Sequence, residues 1–151
     1  MSHLIQSGIS SILLAFLSIG FSSSALKAQS GWKTVKDRTG SCQISVPPNW
    51  TPLSTPGMVN SPQSRTTMVA SGRRPYRPFS KETLTVLGVE KTFENSATRA
   101  LYVGKPSGTP PFVNFHVEVP GKTNSCIAQI TMPLGSDEDA KKIALTLTRT
   151  P

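Results

Sequence analysis

Alternation of apolar and polar positions predicts β-strands over most of the chain beyond residue 30. The clearest case is 112–119, where Val113, Phe115 and the other apolar side chains share one face and polar side chains occupy the opposite face. A turn follows, and a second apolar run at 125–132 predicts that the two strands form an antiparallel hairpin. Shorter strands are predicted at 32–35, 42–46, 66–70 and 98–103.

Two segments have the spacing of helices. Ser80 is a candidate N-cap for a helix over 80–94, although Gly88 and several β-branched residues lower the helix propensity there. Ser136 is a candidate N-cap for a closing helix with three acidic residues in its first turn. The apolar stripe of the closing helix consists of Ala140, Ile143, Ala144 and Leu147.

The order of these elements predicts the fold class. Residues 51–64 are rich in Pro, Ser, Gly and Asn, which predicts a loop between two strands. Strands dominate, with one helix in the middle of the chain and one at its end. We therefore expect an α+β domain with an antiparallel sheet of about five to six strands and two helices.

One segment adds a family resemblance to this element order. The strand and turn at Ile44-Ser45-Val46-Pro47-Pro48-Asn49-Trp50, followed by a loop, a strand, a helix, antiparallel strands and a closing helix, resemble the PsbP-like family. The resemblance implies α/β/α layering and a role in docking to, or stabilising, a larger assembly. Asn49 replaces the glycine of the family's motif, and we expect a positive φ there because asparagine tolerates that region.

The N-terminal segment has the pattern of an export signal. Residues 9–21 form an apolar run that is short for a membrane span, and small residues follow it as a cleavage site requires. We predict a signal peptide over 1–28, cleaved after Ala25 or Ala28, and a single domain over 29–151. The alternative is an uncleaved anchor. No second apolar stretch follows, so we expect no transmembrane segment in the mature chain and a periplasmic or secreted location.

The chain has two cysteines, Cys42 and Cys126. In an oxidising compartment the default is that two such cysteines pair. Strand alternation places Cys42 on the face of Ile44 and places Cys126 on the face of Ile130, so both thiols point toward a core. We therefore predict a disulfide between them.

The net charge is +8, from 16 Lys and Arg against 8 Asp and Glu. A run without any acidic residue forms the candidate binding surface. Its candidate binding residues are Arg65, Arg73, Arg74, Tyr76, Arg77 and Lys81. Such a run is suited to an anionic envelope component or to an acidic protein surface, whereas nucleic acid is not expected outside the cytoplasm. The alternative is a solvated loop that keeps the protein soluble.

Catalytic chemistry has little support in the residue inventory. His116 is the only histidine beyond the signal peptide, so we predict no metal site, no cofactor and no catalytic residue. The predicted function is an exported non-catalytic accessory or binding protein. One alternative is a small exported hydrolase or lyase that uses His116 with Glu118 as an acid–base pair. Another is a structural domain that docks into an envelope assembly.

Overall fold

A computed structural model describes residues 31–151, which contain ten strands and two short helices. The predicted signal peptide and the first two residues of the predicted domain lie outside the described residues. The strands are β1 (Lys33–Lys36), β2 (Cys42–Val46), β3 (Thr51–Pro52), β4 (Met58–Asn60), β5 (Thr66–Ser71), β6 (Val89–Asn95), β7 (Ala100–Gly104), β8 (Phe112–Pro120), β9 (Ser125–Pro133) and β10 (Thr148–Arg149). The helices are α1 (Lys81–Val86) and α2 (Asp137–Ala144).

The strands form two antiparallel sheets. The small sheet has the order β1-β2-β10, and the large sheet has the order β3-β4-β5-β9-β8-β7-β6. The predicted hairpin is confirmed as β8 and β9, which pair from Phe112 with Pro133 to Pro120 with Ser125. It provides two of the three middle strands of the large sheet, and β5 provides the third.

One face of the large sheet carries the hydrophobic core. The small sheet and α2 cover this inner face, because β2 packs over β5 and β9 and α2 packs beside it over β8 and β9. Phe115 of β8 is fully buried there, together with Ile44 of β2 and Ile143 of α2. Complete burial of one such side chain stabilises the fold by roughly 1.5–3 kcal/mol. The alternation in β8 therefore decides which face of the large sheet is inward.

The disulfide between Cys42 and Cys126 is confirmed. It joins β2 of the small sheet to β9 of the large sheet, with 5.5 Å between the two Cα atoms. Cys42 is 2% exposed and Cys126 is 0% exposed. The inward direction that strand alternation predicted for both thiols is what allows them to meet between the sheets.

The predicted α+β class with α/β/α layering is wrong. The described residues form a mostly β structure in which the sheets have three and seven strands. The helices have only 6 and 8 residues, and α1 buries none of its side chains. The segment predicted as a loop over 51–64 contains β3 and β4, and β10 follows α2. The core is therefore built mainly by one sheet packing on another.

The predicted helix over 80–94 is correct at its start and wrong at its end. The hydroxyl of Ser80 accepts a hydrogen bond from the backbone N–H of Thr83, so Ser80 is the N-cap. Gly88 then adopts a φ of +65°, which ends the helix. The chain continues as β6 and pairs with β7. The β-branched residues after Gly88 gain more from strand pairing than from helix formation.

The expected positive φ at Asn49 is also wrong. Within residues 31–151 the one non-glycine residue with a positive φ is Ser64, at 55°. The turn at Pro47–Trp50 instead closes through the Trp50 N–H, which donates to the Pro47 carbonyl oxygen at 3.1 Å. Asn49 therefore gives no support to the family motif.

The two edge strands of the large sheet are short or irregular. At one edge β3 has only two residues, and the second is Pro52. At the other edge the pairing of β6 with β7 shifts register between Val89 and Lys91 and again between Thr92 and Glu94. These shifts interrupt the regular hydrogen-bonding ladder of the edge strand.

Candidate binding surface

The basic segment at residues 72–81, termed here the basic strap, leaves the sheet at the end of β5. The Gly72 N–H donates to the Ser125 carbonyl oxygen at 2.8 Å, and the Ser125 N–H donates to the Arg74 carbonyl oxygen at 2.9 Å. These two bonds continue the pairing of β5 with β9 beyond the last strand residue. The first residues of the strap are therefore held to the large sheet by backbone hydrogen bonds.

The far end of the strap is held next to β6. The Tyr76 hydroxyl donates to the Ser96 carbonyl oxygen at 2.6 Å. The Asn95 side chain accepts a hydrogen bond from the Phe79 N–H at 2.9 Å and donates one to the Phe79 carbonyl oxygen at 2.8 Å. The strap thus runs over the outer face of the large sheet, from β9 to the β6 edge, along a defined path.

A stack of side chains connects the strap to the outer face of the large sheet. The guanidinium carbon of Arg74 lies 5.3 Å from the centroid of the Phe79 ring, and Phe79 meets Tyr102 edge to face at 5.7 Å. Tyr102 in turn stacks on His116 with 5.1 Å between ring centroids. Aromatic pairs of this kind stabilise by about 0.5–1.5 kcal/mol beyond their buried area. Sequence reasoning missed Phe79, Asn95 and Tyr102, and the position of Phe79 inside the basic segment was the available signal.

The cationic side chains of the strap remain at the surface. Arg73, Arg74, Arg77 and Lys81 are all exposed. The ion pairs among residues 31–151 involve Arg99, Lys141 and Lys142 only, so none of these four cations forms an ion pair with an acid of the described chain. The strap therefore carries four positive charges without ion-pair partners on a fixed backbone.

The structure does not bring all six predicted binding residues together. Arg65 precedes β5 while the strap follows it, so the six residues of that strand separate them by roughly 20 Å. The Arg65 guanidinium lies 4.4 Å from the Phe112 ring centroid and donates to the Pro110 carbonyl oxygen at 3.4 Å. Tyr76 is in the strap, but its hydroxyl is used to hold the strap. The surface therefore consists of Arg73, Arg74, Arg77 and Lys81.

An acidic residue that is mostly buried lies beneath the strap. Glu118 is 7% exposed, and within residues 31–151 it has no hydrogen-bond or ion-pair partner. Burial raises the pKa of Tyr76, and the charges of Glu118 and Glu94 raise it further. Burial also raises the pKa of Tyr102, with a further contribution from Glu118, while Arg74 acts in the opposite direction. Both phenols therefore stay protonated beneath the cationic surface.

His116 and Glu118 do not form an oriented acid–base pair. No hydrogen bond joins them in the described part of the chain, and stacking on Tyr102 orients the imidazole. Burial lowers the pKa of His116, so the neutral imidazole is favoured. In catalytic dyads and triads a hydrogen bond from a third group orients the imidazole, and His116 has no such bond within residues 31–151. The geometry under the strap is thus that of a packed polar layer.

Between residues 31 and 151, no helix combines the length and the apolar character needed to cross a membrane. Over the same residues, no three His, Cys, Asp or Glu side chains come together as a metal-binding group.

The comparisons with known proteins give no family. No protein-family model matches the chain, and a search of curated proteins finds no match. The PsbP-like resemblance therefore remains a prediction.

Proposed function

We propose that this chain is an exported, non-catalytic accessory or binding protein that contacts an anionic partner through the basic strap. The observation that carries the proposal is the combination of a backbone held at both ends with four exposed cations that form no ion pair within residues 31–151. A preordered surface loses little conformational entropy on binding, so its electrostatic attraction is retained as affinity. The disulfide supports a periplasmic or secreted location, because such bonds persist in oxidising compartments.

The proposed partner is an anionic component of the cell envelope or an acidic protein surface. Three of the four strap cations are arginines, whose planar guanidinium forms paired hydrogen bonds with carboxylate or phosphate oxygens. Arg73 and Arg74 are adjacent, and Arg77 follows beyond Tyr76 and Pro75. This spacing suits a partner with several negative charges along its surface.

The test is a binding titration with residues 29–151 against vesicles that contain an anionic phospholipid and, separately, against an acidic polysaccharide. The test variant carries Arg73→Gln, Arg74→Gln and Arg77→Gln. We expect it to bind at least about tenfold more weakly, because each exposed charge contact is worth up to about 1 kcal/mol. Binding by the unmodified chain should fall as salt is raised.

A matched variant separates a local site from overall charge. Arg38, Lys105 and Arg149 are exposed cations outside the strap, and changing all three to glutamine removes the same net charge. We expect this variant to bind like the unmodified chain. Equal losses in the two variants would show non-specific attraction and would contradict the proposal, as would binding that is indifferent to salt.

Neither of the alternative functions is favoured by a specific contact. His116 is oriented by stacking, so nothing in its geometry favours hydrolase or lyase chemistry. In residues 31–151 the exposed large apolar side chains are spread over several elements, so no single apolar face favours docking into an assembly. They are Leu53, Met68, Val86, Leu87 and Leu134.

A further inference from the structure

A groove of about 290 Å³ opens on the side of the molecule away from the basic strap. It lies where the residues before β1, the turn before β3, the β4–β5 loop and α2 meet. The chain has two tryptophans, Trp32 and Trp50, and both line this groove. Asn49, Gln63 and Asp139 supply its polar side chains.

The aromatic wall is built on a fixed backbone. Trp50 is 4% exposed, and its carbonyl oxygen accepts a hydrogen bond from the Lys33 ammonium at 3.1 Å. Trp32 is partly buried and packs against the hydrophobic core. Pro47 and Pro62 also line the groove, and proline has little backbone freedom. The groove therefore exists before any ligand enters it, as is usual for small-molecule sites.

The polar side chains of the groove have unused hydrogen-bonding capacity. Asn49 and Gln63 are exposed, and within the described residues neither carboxamide takes part in a hydrogen bond. A carboxamide offers both donors and an acceptor, which matches a hydroxyl group that also donates and accepts. Asp139 is the one charged residue of the lining, and its carboxylate lies 3.5 Å from the Lys142 ammonium.

We infer that this groove binds an uncharged saccharide. A sugar ring presents an apolar C–H face, which packs on the partly exposed indole of Trp32, and a rim of hydroxyls, which carboxamides and a carboxylate can bind. An anionic ligand gains no specific partner, because the one charged lining residue is an acid that already pairs with Lys142. A cation is weakly attracted, because Lys142 already neutralises part of the Asp139 charge.

The groove and the strap lie on opposite sides of the large sheet. Ile143 of α2 lines the groove and belongs to the core on the inner face, whereas Phe79 of the strap contacts Tyr102 on the outer face. Both sites can therefore be occupied at once. The saccharide inference is independent of the anionic partner, since it uses different residues.

The test uses the intrinsic fluorescence of residues 29–151, because both tryptophans line the groove. Glucose, N-acetylglucosamine and the linear tetramers of each are titrated to millimolar concentrations. We expect a saturable change in emission with at least one of these sugars. The variants Asn49→Ala and Gln63→Ala should each weaken that binding about fivefold, the effect of losing one neutral hydrogen bond.

Asn124→Ala is the matched control, because Asn124 is an exposed asparagine on the β8–β9 turn, outside the groove. It should bind the sugar like the unmodified chain. The inference is overturned if none of the four sugars changes the emission. It is also overturned if the groove variants bind as tightly as the control, because the sugar would then be bound elsewhere.

Discussion

The Sγ atoms of Cys42 and Cys126 join the central strand of the small sheet to the central strand of the large sheet, across 84 residues of chain. Replacing both residues with alanine avoids burying a new polar group in the core. We expect the free energy of unfolding to fall by up to about 4–5 kcal/mol, because the unfolded chain regains the entropy of a long loop. Urea unfolding followed by circular dichroism measures this change.

Reduction provides the control for that experiment. A reductant should lower the stability of the unmodified chain toward that of the double variant and leave the double variant unchanged. A loss smaller than about 1 kcal/mol would contradict a stabilising role for the bridge.

A second prediction concerns the buried carboxylate of Asp37. Burial alone would raise its pKa, but hydrogen bonds from the Thr39 hydroxyl, the Cys42 N–H and the Ser71 hydroxyl together lower it. The folded-state pKa is thus below the unfolded value of about 3.9, so the stabilisation is present above that pH and is lost as pH falls through the folded pKa. Asp37→Asn should cost about 1–3 kcal/mol at neutral pH.

The pH dependence distinguishes this effect from a general loss of packing. The stability difference between Asp37→Asn and the unmodified chain should shrink as pH falls below about 4. Glu90→Gln removes an exposed acid that has no ion pair within residues 31–151, and it should change stability by less than about 0.5 kcal/mol. A difference that stays constant down to acid pH would contradict the assigned role of the carboxylate.

His116 gives a third prediction, in a different pH range. Burial lowers its pKa from the unfolded value of about 6.5, so the unfolded chain takes up a proton first as pH falls. Stability should therefore decline between about pH 6.5 and the folded pKa, and His116→Gln should remove that decline. NMR titration of the imidazole measures the folded pKa directly in residues 29–151, and a midpoint at or above about 6.5 would contradict the prediction.

The fourth prediction tests how the basic strap is held. Asn95→Ala removes both hydrogen bonds between the Asn95 side chain and the backbone of Phe79. We expect hydrogen exchange of the Phe79 amide to accelerate about tenfold, since each bond contributes about 1 kcal/mol. Thr92→Ala, at an exposed position of the same strand, is the control and should leave that amide unchanged. Equal exchange in the two variants would mean that other contacts hold the strap.

The fifth prediction compares two glycines that both have positive φ. A Cβ atom at Gly57, where φ is +81°, would lie 2.5 Å from the Val69 carbonyl oxygen, whereas a Cβ at Gly40, where φ is +71°, meets nothing within 4 Å. Gly40→Ala should cost about 1–2 kcal/mol for the backbone conformation alone. Gly57→Ala should cost clearly more, because the carbonyl must also move. Thermal unfolding of both variants gives the comparison, and equal costs would contradict the clash.

Local patterns in the sequence were sufficient for the hairpin and the disulfide. The alternation in β8 depends only on which side chains face the core, and the same argument oriented Cys42 and Cys126. The N-cap at Ser80 was likewise predicted, because capping involves residues three positions apart. Each of these features depends on residues that are close together in the chain, or on which face of one strand is buried.

The predictions that were wrong concern features that depend on contacts between residues far apart in the chain. The residues after Gly88 become β6 only because β7 is available to pair with them, and helical spacing cannot show that. The split into two sheets depends on β10 reaching β2, more than 100 residues apart, which no local pattern records. The sequence places Arg65 and Arg73 in one basic run, but the two residues flank opposite ends of strand β5 and are therefore far apart.

The short or irregular edge strands of the large sheet limit pairing between strands of neighbouring molecules. At β3 the strand is two residues long, and Pro52 has no N–H to offer. At β6 two register shifts make the edge strand irregular, and the strand also carries the charged residues Glu90 and Lys91. Neither edge presents the long, flat template on which a second chain could add a strand. Crowded copies of the folded domain are thereby hindered from pairing through either edge of the large sheet.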